Sequence, residues 1–174
     1  MDYETRAASR KELRLFAEFF RTICELTPNE PVDPVLLLDK LPDYEGFDNV
    51  YYDIVEDQTL PKHVPARCTL KNDEYLIEIK ESVYRGACER NVGGYRMHIM
   101  HEIMHVFADK IGFKPILSRE LSGSTAPYRR IEWIVKALAG EVMMPYCATK
   151  GMNEKEIMET YGVSQEAAKK RLTY

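Results

Sequence analysis

Three of the four histidines in this chain lie within the segment RMHIMHEIMHVFADKIG, residues 96–112. Two of them, His101 and His105, form the pattern H-E-x-x-H with Glu102 between them. The apolar residues of this segment, without an internal Gly or Pro, predict a buried helix over residues 95–111. Residues four apart on a helix project from one face, so both imidazoles can reach one zinc ion at about 2.0–2.1 Å. An ordinary core helix that happens to carry histidines is the alternative interpretation.

A zinc ion needs at least one more protein ligand, and its identity separates the classes of zinc site. A third histidine six residues after the second is excluded, because Ala108 and Ile111 stand where that pattern requires Gly and His. His63 is a possible ligand in a Pro-flanked loop, but a carboxylate on the next long helix fits better. Glu132 and Glu141 both lie there, about 2.5 turns apart, and therefore cannot both bind one ion.

The rest of the chain has the patterns of a single α+β domain. Ser9 and Glu12 form a capping box for a helix over residues 10–26. Further predicted elements are a short helix in VLLLDKL, strands in VYYDIVED, ARCTLKND and YLIEIKES, a break at Gly93-Gly94, a polar loop in SRELSGSTAP, a helix from Tyr128 to Met143, and two short helices around Gly162 that start at Asn153 and Ser164. Apolar spacing of period 3.6 and period 2 supports these assignments.

Charge and cysteine content exclude several classes of protein. The net charge of −4 and the pI of about 5.7 argue against a general nucleic-acid binder. The four cysteines (Cys24, Cys68, Cys88, Cys147) are far apart without a C-x-x-C pair, which predicts reduced, partly buried thiols. The charged N-terminal segment is unlike a secretory signal, and no stretch has the roughly 18 apolar residues of a membrane span. We therefore expect a cytoplasmic protein without a membrane partner.

The segment EWIVKALAGEVMMP, Glu132 to Pro145, resembles the E-x-x-A-N-x-F-A-x-x-L-L-M-P signature of the ImmA/IrrE-type metallopeptidases. The alignment needs no gap, and the family's ligand glutamate falls on Glu132. The resemblance implies that His101, His105 and Glu132 hold zinc and that Glu102 is the general base. The likeness extends over roughly residues 30 to 173, including a strand–strand–helix segment before the histidines and a pair of short helices at the C-terminal end.

The sequence departs from the family pattern at several positions without removing a ligand or the base. His98 stands where a small hydroxylated residue is usual, and Asp109 where a histidine often follows. Val135 and Lys136 replace the usual Ala-Asn. Two interpretations of His98 are open. It is either a residue near the site or on the surface that does not bind the metal, or a direct zinc ligand.

The resemblance implies a small zincin-like single domain of the α+β class, mainly helical, with a three-stranded sheet next to the histidine helix. We expect one metallopeptidase domain over residues 1–174, with an N-terminal helix (1–29), a catalytic core (30–150) and a C-terminal helical hairpin (151–174). The implied function is a zinc-dependent endopeptidase whose protein substrate is a helix-turn-helix transcriptional repressor. The alternative is a non-catalytic regulatory module that binds a repressor or an antitoxin-like partner.

Three further expectations concern the substrate side of the site. Tyr128, one turn before Glu132 on the same predicted helix, is a candidate donor to the oxyanion. A substrate could add as an extended strand at the sheet edge, along YLIEIKE. Residues 153–174 read like a helix-turn-helix, yet four Lys/Arg and four Glu cancel there, so we expect a hairpin packed on the domain and no direct nucleic-acid binding.

Overall fold

A computed structural model of the chain describes residues 2–116 and 123–174. In chain order the elements are α1 (Arg10–Ile23), α2 (Pro34–Lys40), β1 (Val50–Val55), β2 (Ala66–Lys71), β3 (Glu74–Lys80), α3 (Glu81–Glu89), α4 (Gly93–Lys110), α5 (Ile131–Met143), α6 (Tyr146–Thr149), α7 (Glu154–Tyr161) and α8 (Gln165–Arg171). Short 3₁₀ turns at Leu41–Asp43 and Pro127–Arg129 complete them. The predicted small single α+β domain, mainly helical with a three-stranded sheet, is confirmed.

The predicted helix starts and ends are largely those of the structure. Ser9 Oγ accepts the backbone N–H of Glu12 at 3.2 Å, and Glu12 accepts the N–H of Ser9 in return, so the capping box of α1 is confirmed. The helix ends at Ile23 instead of residue 26, because Glu25 has a left-handed φ of 53°. Helix α5 begins at Ile131 instead of Tyr128, after a separate 3₁₀ turn.

Strand β3 is the centre of the sheet, which has the order β1-β3-β2. It pairs in parallel with β1 and antiparallel with β2. Tyr75, Ile77 and Ile79 on β3 are buried, whereas Leu76 between them is 38% exposed. The alternation therefore puts one face of the sheet on the core and the other in water. The prediction that a substrate adds along YLIEIKE is wrong, since a central strand offers no free edge.

Helix α4 runs through the middle of the domain, against the sheet on one side and α5 on another. Its buried side chains are Arg96, Ile99, Met100, Ile103, Met104, Val106, Phe107 and Ala108. Helix α1 packs on α5, so the N-terminal helix belongs to the same core. The division of the domain at residues 29 and 150 stays a prediction.

The start of α4 lies against the C-terminal hairpin of α7 and α8. The predicted break at Gly93-Gly94 is wrong, because the helix begins at Gly93. A Cβ on Gly93 would stand 2.3 Å from the backbone carbon of Val163 and 2.4 Å from the backbone nitrogen of Ser164. Only a glycine permits this contact. The hairpin itself has the predicted caps, with Gly162 in the left-handed region between its helices.

Half of the predicted polar loop SRELSGSTAP, residues 118–122, lies outside the described residues. No helix of the described chain has the length and apolar character needed to cross a membrane.

Candidate metal centre

Helices α4 and α5 bring three donor side chains together at one point of their interface. His101 Nε2 and His105 Nε2 lie 3.1 Å apart. Glu132 places Oε2 at 3.3 Å from His101 Nε2 and Oε1 at 3.4 Å from His105 Nε2. All three side chains are partly buried, and their donor atoms form a group that could hold a metal ion. The residues selected in the sequence are therefore neighbours in space.

These spacings fit a zinc ion. Ligands at about 2.0–2.1 Å from a tetrahedral ion are about 3.3–3.4 Å from one another. The two Nε2 atoms are 3.1 Å apart, and each has one carboxylate oxygen of Glu132 at 3.3 or 3.4 Å, close to that value. Two imidazoles and one carboxylate are also a donor set that leaves a tetrahedral ion with a fourth position open. The donors thus match a catalytic site better than a closed structural one.

Glu132 has an electrostatic environment that keeps its carboxylate ionised. Hydrogen bonding from the rings of His101 and His105 holds its pKa well below the usual value, against the opposing effect of burial. The side chain of Glu132 comes from the first turn of α5, and Asp2 holds this turn through two contacts. Asp2 Oδ1 accepts the backbone N–H of Glu132 at 3.2 Å, and Asp2 Oδ2 pairs with Arg130 at 3.0 Å.

Glu102 is in the opposite situation. Burial raises the pKa of its carboxyl group, and the nearby histidines only partly offset that effect. Oε2 of Glu102 accepts the backbone N–H of Cys68 at 2.8 Å. Cys68 lies on β2, so the outer edge of the sheet is directly beside the residue that follows His101. The pKa values of Glu132 and Glu102 thus move in opposite directions, which fits different roles for the two carboxyl groups.

The other candidates from the sequence lie outside this cluster. His63 is exposed, in the segment between β1 and β2. His98 is exposed one turn before His101 and does not join the group of donors. Glu141 is buried among arginines, with Oε2 at 2.8 Å from Arg171. Tyr128 is 49% exposed in the 3₁₀ turn before α5, so the premise that it shares a helix with Glu132 is wrong.

Sequence patterns did not reveal the residues that support the site. Asp2 and the N–H of Cys68 act from segments distant in sequence, and neither contact has a pattern of its own. Tyr75 of β3 donates a hydrogen bond to Asp109, which also pairs with Lys114. Asp109 follows His105 by one helical turn, so this group fixes the end of α4 against the sheet. The only indication of this group in the sequence was Asp109, which stands where the family often has a histidine.

The comparisons with known proteins agree with this geometry. Residues 91–173, which carry all four site residues, match the family described as the IrrE N-terminal-like domain, Peptidase_M78. This part of the chain is therefore similar to the ImmA/IrrE family. The resemblance stated from the Glu132–Pro145 segment is confirmed, and the family is one of metallopeptidases.

One solved structure shows the same fold over more of the chain. A transcriptional regulator of Mycobacterium tuberculosis superposes with a TM-score of 0.58 over 92% of this chain, at 16% identity. The chain spans about 46% of the length of that protein. No curated protein matches the sequence. The family match thus rests on residues 91–173, and the likeness to the solved structure concerns the fold alone.

Proposed function

We propose that the protein is a zinc-dependent endopeptidase that hydrolyses a peptide bond in a protein substrate. The observation that carries the proposal is the convergence of His101, His105 and Glu132 at 3.1–3.4 Å, with Glu102 on the adjacent position of the same helix. The metallopeptidase family of residues 91–173 supports it. A structural zinc site would have no use for a carboxylate at position 102.

The positions of the four residues suggest separate roles in metal binding and proton transfer. His101, His105 and Glu132 would hold the ion, and bound zinc would supply Lewis-acid chemistry by lowering the pKa of water and polarising a carbonyl. Glu102 would accept the proton of the attacking water on its carboxylate and later pass it to the leaving amine. Burial of Glu102 suits this role, because a raised pKa makes the carboxyl group a better proton acceptor.

The substrate would lie along the free edge of the sheet, beside α4. Since β3 is central, the edge strand beside the site is β2, whose Cys68 N–H points at Glu102. An extended peptide next to β2 would pass close to the three donor atoms. From the family resemblance we infer that the substrate is a helix-turn-helix transcriptional repressor and that cleavage takes place in the cytoplasm.

Metal content tests the ligand set directly. Protein purified without chelators should contain about one zinc per chain by mass spectrometry, and Glu132→Ala should lose it. His98→Ala is the matched control, because this exposed histidine lies one turn from His101 outside the donor group and should leave zinc unchanged. Equal zinc in wild type and Glu132→Ala would contradict the ligand assignment, and loss in His98→Ala would make that residue a ligand.

Hydrolysis is tested separately on zinc-loaded protein. A peptide library derived from whole-cell protein is incubated with wild type and with Glu102→Gln, and new peptide termini are identified by mass spectrometry. New termini in the wild-type reaction alone are the expected result, at a rate at least about 100-fold above the variant. Zinc in both proteins without cleavage in either would favour the alternative, a non-catalytic module that binds a repressor or an antitoxin-like partner.

A further inference from the structure

A cavity of about 300 Å³ lies beside the metal centre, between α4, α5 and α8. His101 and Trp133 form its wall at the end near the donor atoms. Gly94 lines the same wall seven residues before His101, so the cavity extends about 10 Å along the axis of α4. The volume is at the lower end of the range for small-molecule sites.

The cavity combines apolar walls with a positive charge. Its apolar lining includes Met97, Trp133, Ala137 and Met144. Four basic side chains line it against one acidic side chain: Arg10, Lys136, Lys170 and Arg171 against Glu166. Glu141 lies beside this group without reversing its sign, because Arg171 is within 2.8 Å and Arg14 within 3.4 Å of its oxygens. A ligand with an apolar body and a negative group fits both features.

Arg10 has the geometry of an anion receptor. Its guanidinium carbon lies 3.6 Å from the ring centre of Tyr174 and 5.1 Å from that of Trp133. Its Nη1 is 3.8 Å from Glu141 Oε1, which is too far for a hydrogen bond. Its Nε is buried and has no acceptor among the described residues. A guanidinium held by aromatic rings with donors to spare is suited to a planar carboxylate.

We propose that this cavity binds a small organic acid, with the carboxylate on Arg10 and the apolar body against Trp133 and the methionines. The inference goes beyond peptide hydrolysis and does not depend on it, because binding is measured without a peptide substrate. A ligand in the cavity would contact the wall that carries His101. The site is therefore placed to couple the concentration of a small acid to the metal centre.

Trp133 allows binding to be read directly, because it is the only tryptophan of the chain and lines the cavity. Zinc-loaded protein is titrated with 4-phenylbutanoate, and the tryptophan emission is followed. The matched neutral probe is 4-phenylbutan-1-ol, which has the same apolar body without a charge. We expect saturable binding of the acid and at least tenfold weaker binding of the alcohol. Equal affinities, or an acid signal that never saturates, would overturn the proposal.

Two variants test the position of the ligand. Gly140 lines the cavity, and a Cβ built on it meets no atom within 4 Å, so Gly140→Leu fills the space while improving helix propensity. Arg10→Gln removes the guanidinium that would bind the carboxylate. Arg14→Gln is its control, because Arg14 also pairs with Glu141 but does not line the cavity. Gly140→Leu and Arg10→Gln should each weaken binding of the acid at least tenfold. Arg14→Gln should change the affinity less than twofold.

The metal must also be excluded as the binding site of the acid. The titration is repeated after zinc has been removed with a chelator, and wild type should still bind the acid within about threefold. An acid that binds only in the presence of zinc, with normal affinity in Arg10→Gln and Gly140→Leu, would be bound to the ion. That result would overturn the proposal and leave the peptidase assignment untouched.

Discussion

The backbone N–H of Cys68 donates a hydrogen bond to Oε2 of Glu102 at 2.8 Å, which links the edge strand β2 to the histidine helix α4. The contact fixes the orientation of a buried carboxyl group one position after His101. It also uses a backbone donor of the strand edge, which would otherwise be available to an extended peptide. Strand β2 therefore orients the proposed base and is also the edge beside which we propose that the substrate lies.

Removing this donor should impair hydrolysis without affecting zinc. Cys68→Pro takes away the N–H, and a proline is tolerated on an edge strand where the N–H faces away from the sheet. A hydrogen bond to a charged group contributes about 1.5–3 kcal/mol, so the loss of orientation should lower kcat at least tenfold. Steady-state kinetics on zinc-loaded protein measures this effect.

Cys68→Ser is the control, because it retains the backbone N–H and changes only the side chain. It should keep kcat within about threefold of wild type. Equal losses in the proline and serine variants would show that the thiol, and not the backbone donor, matters to Glu102.

The close approach of the candidate ligands was predictable from the sequence because most of its geometry is local. His101 and His105 share a face by helix periodicity alone, and Glu102 is adjacent to them. The choice between Glu132 and Glu141 needed the family resemblance, since both fit the spacing rules equally. The structure gives the physical reason: Glu141 is paired with Arg171 and Arg14, whereas Glu132 faces the histidines.

Other features depend on tertiary contacts that no local pattern encodes. The alternation in YLIEIKE predicts a strand with one buried face, but it contains no information on which strands lie on either side. The brace of Asp2 on Glu132 joins residues 130 positions apart. Gly93-Gly94 read as a break because glycine disfavours helices, yet the close approach of Val163 and Ser164 requires glycine inside the helix start.

That close approach yields a second prediction. Gly93→Ala should lower the free energy of unfolding by about 2 kcal/mol or more, because the new Cβ would overlap the backbone of the C-terminal hairpin, which cannot move aside as a flexible side chain can. Gly94→Ala is the matched control, since its Cβ meets no atom within 4 Å and should leave stability within about 1 kcal/mol. Urea denaturation monitored by circular dichroism compares them, and similar effects of the two substitutions would refute the packing argument.

The buried Glu141 cluster gives a third prediction. Side chains of Glu141 and Arg171 are only 2% and 4% exposed, at 2.8 Å from each other. Glu141→Gln leaves the buried guanidinium group of Arg171 without its counter-charge, which should destabilise the fold by about 3 kcal/mol or more. The exposed pair of Arg85 and Glu89 is the comparison, where Glu89→Gln should change stability by less than about 1 kcal/mol. Thermal and urea unfolding of both variants would show whether burial makes the difference.

The cysteines provide a final prediction, in which burial controls reactivity. The expectation of partly buried thiols is right for Cys24 and Cys68 and wrong for Cys88 and Cys147, which are exposed. Burial raises the pKa of both Cys24 and Cys68 to about 12, so their thiolate fraction at pH 8 is very small. Since the thiolate is the reactive form, iodoacetamide should alkylate these two at least about 100-fold more slowly than the exposed pair in the native, reduced protein. Peptide mapping by mass spectrometry assigns each rate, and denaturation in urea should make all four similar. Fast labelling of Cys68 in the native state would mean that β2 separates from α4, and with it the hydrogen bond that holds Glu102.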